Sequence, residues 1–421
     1  MSKSYQIKTF FTPKKLLFLL LIFSFFIRVF RISVPQRYIF DEVYHVVAVK
    51  AIAKNNPDAY NPYAKSPEKD TAYDWLHPPL AKLIQASSVK LLGENSFAWR
   101  LPSAIFGTLS IFALYYLALT ITKNPNLALL AATLFSLDNL QLTMSRIVMN
   151  DIFLTTFIIF ALTFFYKVID RVRPCQSRKH LLLTGLFTGL SLATKHSAVL
   201  LFPIFSIFLM PIFFKLIKTK KYSQLAKQLF RLFISLVILP LYIYLLSYLQ
   251  MFLQGKDFKD LFNLHKQIYN YQTNLTATHD YQSSAWQWPL LIRPVWFHVD
   301  YRPDTVANTY NLGNPAIFWG GLIVIVYSLL KKPKQLFPLI SYFLLFLPFA
   351  FSPRIMFFHH YLPALPLFCL ILAQTIYKHK KLVRPYLLFT LFLFLFFYPI
   401  STAIPIPKDL LKFWFWLPTW K

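Results

Sequence analysis

Residues 15–34 read KLLFLLLIFSFFIRVFRISV, and residues 40–45 read FDEVYH. The first stretch has the roughly 20 mostly apolar residues that a helix needs to cross a hydrocarbon core about 30 Å thick. It lies behind a lysine-rich tail but shows no small-residue cleavage site, so it predicts a retained first membrane helix rather than a removed signal peptide. The second stretch places Asp41 and Glu42 just beyond the end of that helix.

The composition extends this interpretation to the whole chain. Of 421 residues, 56% are hydrophobic, 19% aromatic and 14% charged, which is typical of a protein whose solvent is lipid. Apolar runs recur from end to end, so residues 1–421 are expected to form one membrane-embedded domain without a separate soluble domain. The net charge of +28 raises the possibility of a nucleic-acid partner, but the Lys and Arg residues lie in short connectors rather than in one groove. We therefore expect the bilayer, and no nucleic acid, as a partner.

The apolar runs predict an all-α polytopic membrane protein with about 11 transmembrane helices. The predicted crossings lie near residues 15–34, 98–121, 126–138, 147–167, 182–196, 198–216, 232–253, 315–330, 336–351, 360–377 and 385–404.

Charge sets the predicted orientation. With a cytoplasmic N-terminus, the inner connectors, the N-terminal tail and Lys123 hold 23 of the 44 Lys and Arg residues and one acidic residue, Asp170. That asymmetry is the positive-inside bias of membrane proteins.

The same orientation predicts two long exterior loops, residues 35–97 and 254–314. In the first loop, PPLAKLIQASSVKLL at residues 78–92 favours a helix lying in the membrane interface. Gly185 and Gly189 predict close helix packing at the fifth crossing.

The two cysteines, Cys175 and Cys369, fall in a connector and within a helix, so no disulfide is expected between them.

The acidic residues near the outer helix ends are candidate catalytic groups. Asp41 and Glu42 are placed where a hydrated carboxylate can still reach a substrate lodged in the bilayer, as a general base must. Two acids after a membrane helix can also be ordinary solvated loop residues. Asp151 falls near the outer end of the fourth crossing, where an acid needs a partner or a watery cavity. Arg146 is a candidate partner, and this pair can equally be purely structural.

Basic residues share the same side. The predicted outer ends and loops contain His77, Lys82, Arg100, Lys195 and Arg354. Together they suit a phosphate, because Arg, Lys and His donors stabilise the negative charge that builds on a departing lipid phosphate. Taken singly, Lys82 is better explained as a side chain that snorkels to the interface.

Two further features of the exterior residues leave alternatives open. His359 and His360 are adjacent in the chain and lack an accompanying Cys or carboxylate cluster, so no metal site is predicted there. The second exterior loop is rich in aromatic residues, which often form interfacial belts. A belt does not explain Arg293 and His298 among them, so the loop is expected both to enclose a sugar donor and to anchor the protein.

These residues lie in motifs that together resemble the protein O-mannosyltransferase family of C-type membrane glycosyltransferases. The resemblance covers residues 38–366 and is carried by FDEVYH, HPPLAK, WRLPSAIFG, SRIVMND, ATKHS, SSAWQWPLLIRPV, LGNPAIFW and FFHHYLPALP. It implies a C-type fold with eleven membrane helices, matching the number of predicted crossings.

The resemblance also implies roles for individual residues. Asp41 would deprotonate the acceptor hydroxyl, with Glu42 beside it, and the attack would invert the anomeric centre. Arg100, Lys195, His77 and the FFHHY segment, which includes His360 and Tyr361, would contact the lipid phosphate, and Asp151 would lie close by. The protein-modifying members of this family use polyprenyl-phosphate mannose without a bound metal, so no cofactor is expected.

The second exterior loop is too short to hold the β-trefoil domain that eukaryotic members insert there. The chain therefore resembles a bacterial member, with its site facing the exterior of the plasma membrane. The expected partners are a polyprenyl-phosphate sugar and a secreted or membrane protein acceptor. A lipid or cell-wall acceptor, as in pentose transfer to lipid A, stays open, and so does a lipid carrier or flippase.

Overall fold

A computed structural model describes residues 12–170, 177–331 and 336–421 of the chain. Lys3 and Lys8 of the predicted cytoplasmic tail and Cys175 lie outside the described residues, so the predictions about them stay predictions. Cys369 is buried inside a helix, as its apolar neighbours indicate.

Helices dominate the described chain. In the first half they are α1 Pro13–Val29, α2 Glu42–Ala53, α3 Leu80–Leu92, α4 Ser96–Thr122, α5 Pro125–Ser136, α6 Asn139–Met144, α7 Asp151–Ile169 and α8 Arg178–Leu192. In the second half they are α9 Leu201–Lys218, α10 Tyr222–Phe233, α11 Leu239–Ser247, α12 Leu249–Leu253, α13 Phe258–Asn274, α14 Pro315–Leu330, α15 Leu336–Phe346, α16 Leu365–Lys378 and α17 Lys380–Ser401.

Among the described residues, five helical segments are long and apolar enough to cross a membrane by themselves. They are Ser96–Thr122, Asp151–Ile169, His196–Lys218, Tyr222–Ser247 and Lys380–Ser401. Each predicted crossing overlaps a helix, but the number eleven stays a prediction because several of these helices are short.

The clearest short case is α5, with 12 residues. At 1.5 Å per residue it is about 18 Å long, less than the hydrocarbon thickness. The chain turns after it because Asp138 accepts a hydrogen bond from the Gln141 amide at the start of α6.

The central packing places α7 between α4 and α8. The predicted close approach of α8 is confirmed: a Cβ at Gly185 would lie 1.8 Å from the Ser235 carbonyl oxygen, and one at Gly189 would lie 2.8 Å from Ile243 Cβ. Glycine at these two positions lets α8 pack directly against the π-helical turn Ile234–Ile238 and α11.

The first of the two loops predicted to be exterior, residues 35–97, carries two helices. The predicted helix in the first loop is present as α3, which begins directly after Pro79; its location in the membrane interface stays a prediction. The second helix, α2, was not predicted from FDEVYH, because the Asp41 side chain makes no cap and the apolar residues of α2 show little one-sided periodicity. Residues Val46 to Val49 are all buried, which explains why that segment is apolar on every face.

The second loop predicted to be exterior, residues 254–314, contains helix α13 and most of a small antiparallel sheet. Strand β1 Val295–Tyr301 pairs with β2 Thr305–Asn311, which pairs with the short strand β3 Ile406–Pro407. The predicted helical membrane fold is therefore accurate for most of the chain, but not for this loop. Its aromatic residues were interpreted as an interfacial belt, although VWFHVDY also has the composition of a strand.

Candidate active site

Asp41 occupies a sharp turn at the start of α2. The preceding residue, Phe40, has φ +48°, a conformation that L-residues rarely adopt. Its ring stacks on Phe297 at 4.5 Å and holds the turn in place. The Asp41 carboxylate neither caps α2 nor forms a hydrogen bond or ion pair with any residue in the described ranges. Burial raises the pKa of Asp41 above its usual range, with His45 acting against that effect.

Glu42, the next residue, is held completely differently. Its side chain has 0% exposure and its carboxylate accepts hydrogen bonds from Arg100 Nε at 2.8 Å and Arg100 Nη2 at 2.6 Å. The backbone amides of Ile39 and Val148 donate to the same carboxylate at 3.1 Å each. Glu42 thus ties the first exterior segment to α4 and to the chain before α7, and has no oxygen free to act as a base.

Arg100 has no donor left for a ligand. Besides Glu42, its guanidinium donates to the carbonyl oxygens of Ile32, Pro35 and Arg37. These bonds use all five N–H groups of the side chain. The predicted phosphate contact of Arg100 is therefore not supported by its geometry, because the residue is committed to folding the turn after α1.

Asp74 is the centre of a second cluster. His77 Nδ1 lies 2.9 Å from Asp74 Oδ1, His45 Nδ1 lies 3.0 Å from Asp74 Oδ2, and Lys82 Nζ lies 3.1 Å from Asp74 Oδ2. Although burial acts in the opposite direction, Lys82 and the two histidines hold the pKa of Asp74 well below its usual range. The Asp74 carboxylate is thus ionised. It forms a hydrogen bond with the His77 imidazole, and its other oxygen lies close to His45 Nδ1.

Lys82 and His77 were both predicted to contact the phosphate, but they differ in how many hydrogen-bonding atoms they have left. Lys82 Nζ also donates to the carbonyl oxygens of Asp74 and His77, so its three N–H groups all have partners. Lys82 is therefore a buried structural residue rather than a snorkelling side chain or a free phosphate donor. His77 keeps Nε2 available, and burial lowers the pKa of His77 despite the nearby Asp74 carboxylate.

Asp151, the first residue of α7, pairs with Lys195. Lys195 Nζ lies 2.8 Å from Asp151 Oδ1, and both side chains are largely buried. The suggested partnership of Asp151 with Arg146 is wrong. Arg146 instead donates to the carbonyl oxygens of Ile27, Arg28, Phe30 and Arg31, and so caps the C-terminal end of α1. Lys195 keeps two N–H groups for a ligand.

The FFHHY segment contributes two histidines. Burial lowers the pKa of His359 to about 3, and its buried Nδ1 has no hydrogen-bond partner in the described part of the chain. His360 Nδ1 lies in hydrogen-bonding distance of the Phe357 carbonyl oxygen, at 3.0 Å, and its Nε2 has no partner in the described chain. Tyr361 does not join them. It is fully buried and its hydroxyl lies 2.9 Å from that of Tyr342, inside the apolar core.

The groups described so far lie close together in space. The His45 and His77 rings are 5.7 Å apart, and the ring of Phe40, next to Asp41, is 6.0 Å from that of His359. His359 experiences the charges of Asp151, Lys195, His45 and His77, and Asp41 experiences those of His45, Asp74, Lys195 and Asp151. Residues from α2, the chain before α3, α7, the chain after α8 and the turn before α16 therefore surround one region.

Arg293 and His298 have different surroundings in the second loop. Arg293 donates to the carbonyl oxygens of Asp280, Thr419 and Lys421, so it joins the second exterior loop to the end of the chain. His298 lies in β1, where burial lowers its pKa. Arg354 is different: Asp41 is one of the charges acting on it, and its Nε is buried without a hydrogen-bond partner among the residues described.

His45, Asp74 and His77 bring three possible metal-ligand atoms within 4.8 Å of one another. Such a group can hold a divalent cation where its charge is uncompensated. Here the Lys82 ammonium already lies 3.1 Å from Asp74 and would repel a second cation. The donor set therefore fits a charge-compensated hydrogen-bond network better than a metal centre.

Three residues of this region were not singled out from the sequence. His45 and Asp74 lie 29 positions apart along the chain, so their spacing gave no sign that they meet. Asn150 is buried, and neither atom of its amide has a partner among the described groups. The one available signal was the spacing of Asp74, His77 and Lys82, which places three polar groups around the start of a single helix.

Comparison with known proteins places these features in context. The chain matches the family described as dolichyl-phosphate-mannose-protein mannosyltransferase over residues 18–253, and the C-terminal four-helix region of protein O-mannosyltransferases over residues 257–333. A polyprenol-phosphate-mannose–protein mannosyltransferase from Corynebacterium glutamicum is 25% identical, covering 91% of this chain and 88% of the relative. A protein with the same description from Mycolicibacterium smegmatis is 24% identical, covering 82% of each chain.

Solved structures share the fold. The Saccharomyces cerevisiae protein O-mannosyltransferase Pmt1–Pmt2 complex bound to the sugar donor superposes with a TM-score of 0.80 at 15% identity, covering 98% of this chain and 93% of that one. ArnT from Cupriavidus metallidurans bound to undecaprenyl phosphate gives a TM-score of 0.57 at 14% identity, covering 86% and 60%. At these identities the likeness establishes a common C-type glycosyltransferase fold.

Proposed function

Because this chain belongs to the dolichyl-phosphate-mannose-protein mannosyltransferase family, we propose that it transfers mannose from a polyprenyl-phosphate carrier to a Ser or Thr hydroxyl of a protein. The resemblance found in the sequence is thereby confirmed, and the chain is an integral membrane glycosyltransferase. The acceptor, the bacterial plasma membrane and a site facing its exterior belong to the proposal. They are supported by the bacterial relatives and by the charge asymmetry of the connectors.

In the proposed reaction, Asp41 takes the proton of the acceptor hydroxyl. The oxygen attacks the anomeric carbon from the side opposite the phosphate, a new glycosidic bond forms, and the bond between that carbon and the phosphate oxygen breaks. The bonding electrons leave with the polyprenyl phosphate, and the configuration at the anomeric carbon inverts. Lys195 has two N–H groups without a partner in the described chain from which to stabilise the phosphate charge. His77 and His360 can add a donor at Nε2 in their protonated forms, because Nδ1 of each already bonds to Asp74 or to the Phe357 carbonyl.

One observation carries this proposal: two adjacent carboxylates have opposite environments. Glu42 accepts hydrogen bonds on both oxygens from Arg100 and two backbone amides. Asp41 has no such partner within the described ranges, and it lies among the charges of His45, Asp74, Lys195 and Asp151. A carboxylate with a raised pKa and free oxygens is suited to accept a proton.

We further propose that the reaction requires no bound metal. The Lys82 ammonium supplies the positive charge beside Asp74. Lys195 supplies donors for the phosphate, and His77 and His360 add donors when protonated at Nε2.

The test is transfer by purified protein from polyprenyl-phosphate [¹⁴C]mannose to a Ser/Thr-containing peptide. We expect product from the unaltered protein, also in the presence of EDTA. Asp41→Asn should reduce kcat by about 10²- to 10⁴-fold, the usual contribution of a general base. Retained elution on size exclusion and a Tm no lower than that of the unaltered protein would show that the variant is folded.

Asp70→Asn is the matched control, because Asp70 is an exposed acid in the same segment, residues 35–97. It should keep full activity. Full activity of Asp41→Asn would remove Asp41 from the base role. Transfer to a lipid fraction with none to peptides would favour the lipid-glycosyltransferase alternative, for which the ArnT fold is a precedent.

A further inference from the structure

An open cleft lies beside the site, between residues 275–287 of the second exterior loop and residues 349–356 before the FFHHY segment. Its volume is about 520 Å³. The two walls meet at one end, where the Ser283 amide donates to the Met356 carbonyl at 2.8 Å. The polar side chains of the lining are Thr276, Thr278, Gln282, Ser283, Ser284, Gln287, Ser352 and Arg354.

Both walls expose main-chain groups that lack partners. After α13 ends, Thr276, Ala277 and Thr278 form neither helix nor strand, and none of their backbone N–H or C=O groups bonds to a described residue. The same holds, within the described chain, for the backbone of Arg354 and Ile355 on the opposite wall. Two unpaired segments of this kind can each hydrogen-bond to an extended chain lying between them.

Arg354 links the cleft to the chemistry. It lines the cleft, its buried Nε lacks a hydrogen-bond partner in the part of the chain that is described, and it interacts electrostatically with Asp41. A buried donor of this type costs free energy unless a ligand supplies an acceptor. A peptide carbonyl bound in the cleft would satisfy it and would bring the neighbouring residue towards Asp41.

We infer that this cleft binds the acceptor as an extended polypeptide, which pairs through its main chain with residues 276–278 and 354–355 and presents a Ser or Thr hydroxyl past Arg354 to Asp41. This inference rests on the proposed function. The lining favours a polypeptide over a lipid acceptor, because hydroxyl, amide and main-chain groups dominate it. Main-chain pairing would also let one cleft accept many sequences, since backbone groups are common to all of them.

The first experiment fills the cleft. Ala277→Trp places a large ring between the two walls, and we expect it to raise KM for the peptide at least about tenfold, equivalent to about 1.4 kcal/mol of binding. The matched control is Thr273→Trp, an exposed position on α13 that does not line the cleft and should leave the peptide KM within about twofold of the unaltered protein. KM for the polyprenyl-phosphate mannose donor is the internal reference, because a rise in both KM values would indicate general damage.

The second measurement does not depend on a variant. A peptide with a photoreactive residue two positions from its Ser should crosslink to residues 275–287 or 349–356, and excess unlabelled peptide should suppress the crosslinks. The inference would be wrong if Ala277→Trp and the unaltered protein had equal KM values for the peptide, or if the crosslinks were confined to other segments. Either result would show that the acceptor binds elsewhere, without contradicting mannosyl transfer to peptides. Absence of any transfer to peptides by the unaltered protein would instead contradict the proposed function.

Discussion

Two groups of ionisable residues in and beside the site differ in how completely their hydrogen bonds are used. The sealed pair is Glu42 and Arg100, which are 0% and 1% exposed and have every strong donor and both carboxylate oxygens occupied. The open cluster is Asp41, His77, Lys195 and His360, each of which keeps an atom free of protein partners within the described residues. Hydrogen-bond saturation, rather than charge or depth, therefore separates the residues that fold this protein from those suited to its chemistry.

The largest expected effect is the loss of stability when the ion pair of Glu42 and Arg100 is broken. Arg100→Gln would leave Glu42 as a buried carboxylate without its charge partner and would free three backbone carbonyls. Breaking such a pair typically costs about 3–5 kcal/mol. We expect a large fall in Tm and in the yield of folded protein in detergent, measured by thermal unfolding.

The control for that change is Arg302→Gln. Arg302 pairs with Asp300 at 3.2 Å, but both side chains are well exposed. Exposed pairs contribute about 0–1 kcal/mol, so the Tm should hardly change. A folded, stable Arg100→Gln protein that has lost only donor binding would show that Arg100 contacts the phosphate after all, and the comparison would fail.

A smaller effect is expected from the open cluster. Lys195→Met removes the ammonium that pairs with Asp151 and is proposed to contact the leaving phosphate. We expect kcat to fall about 10²-fold, the usual cost of one charge-stabilising donor, with a smaller loss of stability than for Arg100→Gln. Single-turnover transfer from the labelled donor measures the chemical step directly.

Lys123→Met is the matched control, because Lys123 also pairs with an acid, Asp170 at 3.3 Å, but on the exposed surface. Its kcat should equal that of the unaltered protein. An unchanged kcat for Lys195→Met would place Lys195 with the structural residues and leave the phosphate to the histidines.

Much of the fold could be predicted because lipid imposes a simple rule on composition. Each of the eleven apolar runs overlaps a helix, and Gly185 and Gly189 correctly indicated close packing. Strands β1 and β2 were missed because aromatic and β-branched residues serve equally well in a sheet and at a membrane interface. Helix length was also less predictable than helix position, as the short α5 illustrates.

The site was predicted as a set of residue types but not as a set of roles. The sequence placed Asp41, Asp151 and Lys195 on one side, and the structure brings them together. The sequence could not show that Arg146 caps α1, or that Arg100 and Lys82 use all their N–H groups on nearby residues. Most of the acceptors are backbone carbonyls. Carbonyl oxygens occur at every position, so a sequence holds no signal for which of them a guanidinium will reach.

The smallest expected effect is the loss of folding stability that comes from having no hydrogen-bond partner for the Asp41 carboxylate in the described part of the chain. Burial raises the pKa of Asp41 in the folded protein above its unfolded value, so the folded state favours the protonated carboxyl and ionisation of Asp41 opposes folding. The cost is fully present above the raised folded pKa and disappears as the pH falls to the unfolded value near 3.9. Asp41→Asn, which cannot ionise, should therefore be slightly more stable than the unaltered protein at pH 7.5, and this advantage should shrink as the pH is lowered.

Thermal unfolding of both proteins from pH 7.5 to pH 4 measures the difference. A pH-independent difference, or a less stable Asn variant at neutral pH, would mean that Asp41 has a stabilising partner like that of Glu42.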